Sequence, residues 1–182
     1  MGRIIGGIAA STAIVYIWGF LYWGASAVPY SSWQETADDS AAGQALLEHF
    51  PESGVYYLPA NGNPPELRSA LYESGPTGFV ILDVDGRPEF DTSIMTAGFA
   101  LNGVVMALFA LLLHLCRNAT PRYVDRLKLV ALVAGIAVLM VNAGDIVWWA
   151  MPVDWESAQI FYNFTAMFLG GSVVACFVRP NA

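Results

Sequence analysis

The chain has 182 residues, of which 56% are hydrophobic and 13% charged, with a formal net charge of −7 at pH 7. The charged share is roughly half that of a soluble domain, which excludes a soluble globular protein as the leading class. A nucleic-acid partner needs a basic surface, and this acidic chain offers none.

Four apolar stretches occupy residues 4–27, 93–116, 129–150 and 157–178. Each holds about 20 or more mainly apolar residues, enough at 1.5 Å rise per residue to cross a hydrocarbon core of roughly 30 Å. Lipid provides no partner for an open peptide group, so such runs must be helices. The predicted fold is an all-α membrane protein: a four-helix transmembrane bundle with a small α+β extracytoplasmic loop domain between helices 1 and 2. Its parts are transmembrane helix 1 (1–27), the loop domain (28–92), and helices 2–4 (93–182) with a basic cytoplasmic loop at 117–128.

The first stretch ends in Ala25-Ser26-Ala27, the small-x-small form of a signal-peptide cleavage site. Its apolar run is too long for a signal peptide, and Trp18, Phe20, Tyr22 and Trp23 crowd its end, so a retained helix is expected. Within the loop domain, residues 34–50 read as a helix started by Thr36 or Asp38 and ended by Pro51 and Gly54. Residues 54–58 form a short strand candidate stopped by Pro59. A turn follows at 61–65, where Pro65 opens a helix over 66–73. Residues 78–84 carry the strongest strand signal, and Asp85-Gly86 then supplies a turn dipeptide. Asp83, Asp85, Glu89 and Asp91 match a calcium loop poorly and read as solvated acids at a strand end. At about 65 residues the loop domain is small for independent folding.

Charge sets the expected orientation. Arg3, Arg117, Arg122, Arg126, Lys128 and Arg179 fall on one side of a four-span arrangement, and only Arg68 and Arg87 on the other. The positive-inside rule then places both termini in the cytoplasm. The loop between Ser26 and Thr92, with eleven acids against two arginines, lies outside. An integral protein of a bacterial inner membrane with a periplasmic loop is the expectation. Cys116 and Cys176 fall at cytoplasmic helix ends and read as free thiols. His49 and His114 lie in different compartments, which excludes a bis-histidine haem. Neither a metal centre nor a cofactor is expected.

One acid, Asp145, lies inside a stretch, with Asn142 placed on the same helical face by the i, i+3 relation. Asn102, Tyr162 and Asn163 fall at a similar depth, and Tyr16 approaches that layer from below. Together Asn102, Asn142, Asp145, Tyr162 and Asn163 form a candidate intramembrane polar cluster, read first as a network joining helices and second as an ion or ligand site. All six tryptophans belong to the outer side, and Trp18, Trp23, Trp148, Trp149 and Trp155 are the candidate partner-docking residues. Small residues at helix-contact spacing are Gly6 with Ala10, Gly7 with Ser11, Ala131 with Gly135, and Gly171 with Ala175.

The leading functional expectation is an accessory or assembly subunit of a larger multi-subunit membrane complex, surrounded by membrane lipids and other integral membrane subunits. Missing catalytic constellations favour it over an enzyme. The alternatives are a small transporter, channel or sensor using the Asp145 and asparagine cluster, and an interfacial enzyme acting on lipid or quinone.

Overall fold

The structure, a computed structural model, describes residues 2–179. Met1 and residues 180–182, the extreme ends of the first and last predicted parts, lie outside the described residues. Four helices are long and apolar enough to span a membrane: Gly2–Gly24, Thr92–Leu115, Tyr123–Trp149 and Val153–Phe177. The chain divides into two units, residues 2–33 with 92–179 and residues 34–91.

In the first unit, α1 (Gly2–Gly19) runs on into a π-helical turn, Phe20–Gly24. α4 (Thr92–Leu115) follows the loop unit in sequence. The third span is α5 (Tyr123–Val138), a second π-helical turn at Leu139–Ala143, and the short α6 (Gly144–Trp149). α7 (Val153–Phe177) closes the unit. This last helix is the hub. The other three spans pack on it, and α1 also packs on α4.

Both later spans begin before their hydropathy does. α5 starts at Tyr123 rather than 129 because Arg122 makes a bidentate pair with Asp125, at 2.8 and 2.9 Å, across its first turn. α7 starts at Val153, directly after Pro152, which draws Asp154 and Glu156 into its first turn. A hydropathy window stops at those acids, whereas the backbone continues because carboxylates suit a helix N-terminus.

Glycines on α7 decide how closely the bundle packs. A Cβ built on Gly170 would sit 2.6 Å from Val15 Cγ2 and still closer to the Met106 sulfur. One on Gly171 would sit 2.6 Å from Val130 Cγ1. Helices α1, α4 and α5 thus each press a side chain onto this one stretch of α7 backbone. Leu113, Val130 and Ala175 are fully buried around it. At the end of the bundle where α1 begins and α7 ends, Phe177 fills the space that Gly7 leaves. Of the four small-residue pairs read from sequence, Gly7 with Ser11 and Gly171 with Ala175 lie buried at helix contacts. Gly6 and Gly135 face open space, because their helices turn those faces outward.

The second unit holds α2 (Asp39–His49), β1 (Gly54–Leu58), α3 (Pro65–Ser74) and β2 (Gly78–Leu82). Its element order matches the sequence reading, with α2 and β2 shorter than expected, β1 as expected and α3 one residue longer at each end. α2 begins at Asp39 instead of 34 because Asp38 is the cap, its Oδ1 accepting from Ala41 N at 3.0 Å. The strands pair antiparallel with Val55 opposite Ile81 and Tyr57 opposite Phe79. Ser53 Oγ accepts from Val84 N at 2.9 Å, which ties the far end of the pair. Within this unit Pro59 alone is buried. Ring contacts add to the strand pairing: Phe50 meets Tyr56 at 4.7 Å and Tyr57 meets Phe79 at 4.8 Å between centroids. A hydrogen bond with Tyr57 pushes the Tyr72 phenol above its ordinary pKa.

Candidate functional site

The predicted polar cluster divides in two. On one side of α7, Asn142 Nδ2 donates to Glu156 Oε2 at 2.9 Å, and Asn163 Nδ2 donates to Asn142 Oδ1 at 3.3 Å. Asn142 and Glu156 are 6% and 3% exposed and Asn163 is half-buried, and this chain of three side chains joins the third and fourth spans. Burying a carboxylate is costly unless hydrogen bonds replace its water, and the asparagine amide supplies one.

Asp145 is not part of this chain. It is half-buried, and its backbone carbonyl accepts from Met151 N at 3.2 Å where α6 ends. The i, i+3 relation fails because Asn142 sits inside the π-helical turn Leu139–Ala143. A π turn takes an extra residue per turn, which rotates Asp145 away from the face that Asn142 occupies. Glu156 takes the place expected for Asp145. Its signal in the sequence was an acid one turn into a helix started by Pro152, overlooked because the apolar run begins at 157.

On the other side of α7, Asn102 and Tyr162 border a cleft of about 490 Å³ between α1 and α4. Tyr16 from α1 and Met95 and Gly98 from α4 also line it. The two helices touch below the cleft, where the Cβ position of Gly103 lies 3.8 Å from Thr12 Oγ1. Tyr16 and Phe99 meet edge to face at 5.3 Å just above that contact. Among the described residues neither the Tyr16 hydroxyl nor the Asn102 amide has a hydrogen-bond partner.

The tryptophans also separate into two groups. Trp18 Nε1 donates to Thr165 Oγ1 at 3.0 Å, and its ring meets Tyr22 and Phe161. Trp23 stands edge to face with Tyr22, Tyr162 and Trp155. Buried Tyr22 stacks on Tyr162 at 5.2 Å and donates its hydroxyl to the Ala158 carbonyl at 3.0 Å. Trp18, Trp23 and Trp155 therefore knit α1 to α7, using large rings at the π-helical end of α1. Trp148 and Trp149 point outward instead, 80% and 53% exposed.

At the opposite end of the bundle Arg126 is buried. Its Nε donates to the Ala175 carbonyl at 3.0 Å, and its Nη1 to the carbonyls of Thr120 and Pro121 at 3.0 and 2.9 Å. A cation on the last turn of α7 meets the negative end of the helix dipole. Tyr123 adds a bond from its hydroxyl to the Ser172 carbonyl at 3.2 Å. Sequence reading took Arg126 only as a mark of orientation; here it is also a clamp between the connection 117–122 and α7.

Among the described residues no three His, Cys, Asp or Glu side chains converge as metal ligands. Compared with protein-family models, with curated proteins and with solved structures, the chain finds no match in any of the three.

Proposed function

We propose that this protein is an accessory or assembly subunit of a larger complex in a bacterial inner membrane, its termini cytoplasmic and its loop unit outside. The observation that carries this reading is the uncovered face of the two-stranded sheet. Val55 and Ile81, directly opposed, are 67% and 80% exposed, and Phe79 beside them is over a third exposed. Side chains at i and i+2 share a face, so these form one apolar surface on an acidic unit that joins two spans. Contiguous apolar patches on water-facing units mark protein contacts. Trp148 and Trp149 extend the same logic into the bilayer interface, where exposed aromatics serve as anchors for a neighbour. Six of the eight basic residues lie at the end of the bundle where α1 begins and α7 ends, which supports the orientation. The Glu156–Asn142–Asn163 chain links two helices, which favours a scaffold over a transport pathway.

The test is purification in mild detergent of the full chain and of a Val55→Asp, Ile81→Asp variant. The parent is expected to elute in fixed proportion with a second integral membrane protein, and the variant to elute alone with its helical content unchanged. A parent protein that elutes alone and monodisperse sinks the proposal.

A further inference from the structure

The cleft between α1 and α4 has features that a lipid-filled gap between helices does not need. Every lining residue except Tyr30 belongs to a helix long and apolar enough to span a membrane, so the cleft is open to a lipid-soluble occupant. Its volume of about 490 Å³ falls in the range of small-molecule sites. Glycine shapes both walls: the Cβ position of Gly98 meets nothing within 4 Å, and Gly19 leaves room for the Tyr162 hydroxyl, 2.9 Å from its own Cβ position. Three aromatic residues, Phe20, Trp23 and Tyr30, complete the lining.

Hydrogen-bond donors from opposite walls are left over. The Tyr30 hydroxyl is committed to the Trp23 carbonyl at 2.5 Å, whereas the Tyr16 hydroxyl and the Asn102 amide have no protein partner among the described residues. An unmet donor in hydrocarbon is unfavourable, and an acyl chain has nothing to accept it. A ring that stacks on aromatic faces and carries carbonyl oxygens satisfies both requirements. We propose that this cleft binds a lipid-soluble quinone, with the ring among the aromatic faces and its carbonyl oxygens accepting from Tyr16 and Asn102. The apolar tail leaves past Ile94, Met95 and Leu101, which are 49%, 45% and 64% exposed.

This site goes beyond the accessory role and does not rest on it. A protein that elutes alone yet binds the quinone removes that reading and leaves this one standing. The experiment uses the full chain in phosphatidylcholine nanodiscs, titrated with decylubiquinone and followed by quenching of tryptophan emission. Saturable quenching is expected, weakened about tenfold by Asn102→Leu, the loss expected for one hydrogen bond to a ligand carbonyl. Gly98→Leu is expected to abolish saturation by filling the cleft. The infrared carbonyl band of the bound quinone should shift to higher frequency in Tyr16→Phe. Linear quenching in the parent, or saturation unchanged in Asn102→Leu, overturns the assignment. Should Gly98→Leu fail to fold, Asn102→Leu, on a half-exposed side chain, still decides the matter.

Discussion

In the bundle, Gly170 admits the Met106 sulfur and Val15 to its backbone, and Gly171 admits Val130. In the loop unit, Gly43 in the middle of α2 meets nothing within 4 Å, and Val55 and Ile81 stand uncovered on the sheet. Both regions have regular elements in the expected order. They differ in what those elements bury. The spans meet through interlocked side chains and backbone, whereas the loop unit is held by strand pairing, a few ring contacts and Pro59 as its one buried residue. Secondary structure and a core are thus separate achievements, and a small unit with the first but little of the second depends on something else for its stability.

The largest effect should come from separating the regions. Residues 34–91 expressed alone are expected to lack a cooperative thermal transition in circular dichroism. The chain with those residues replaced by a short flexible linker should keep a cooperative transition in detergent. A stable isolated loop unit would break the contrast.

Next in size is overpacking at the hub. Gly170→Val drives two methyl groups toward Met106 and Val15, and a destabilisation of about 3 kcal/mol is expected from the upper range of such substitutions. Denaturant unfolding in mixed micelles measures it. A loss below about 1 kcal/mol, the lower end of that range, would mean the helices part easily here.

The buried chain should matter less than the packing but more than the neighbouring acid. Asn142→Leu leaves the Glu156 carboxylate without its amide donor, and about 2 kcal/mol is expected as the cost of an unmet buried polar group. Asp145→Asn, at a half-buried residue outside the chain, should change stability by less than about 0.5 kcal/mol. The reverse ranking would restore Asp145 to the network.

One effect has the opposite sign. Gly43→Ala in α2 meets no neighbour, so helix propensity decides it, and a gain of up to ~1 kcal/mol is expected in local helix stability. Amide hydrogen exchange over residues 39–49 of the full chain reads it directly. The same replacement at Gly171 should destabilise, because Val130 occupies the space.

Much of this fold was legible in the chain itself. Apolar runs of span length admit only helices in lipid, and the loop elements announced themselves through Asp38, Pro65 and the Gly78–Leu82 run. These are local properties, fixed by backbone hydrogen bonding and by each residue's preferences, so they need no knowledge of neighbours in space. The site was less legible. Asn142 and Asn163 were read correctly as near one another, but Glu156 was hidden by a window that measures apolarity and not burial. The π-helical turns at Phe20–Gly24 and Leu139–Ala143 left no signal in periodicity, and the second of them separated Asp145 from Asn142.

What the sequence determined by itself was the number of spans, the order of elements and the side on which charge accumulates. Only the tertiary structure decided which helix is the hub, which glycines face a neighbour and which face nothing, and which tryptophans are spent inside the bundle. Helical phase is the physical reason. One extra residue in a turn, or one close approach of two backbones, rotates every later side chain to a new face, and that is settled by packing between segments distant in the chain.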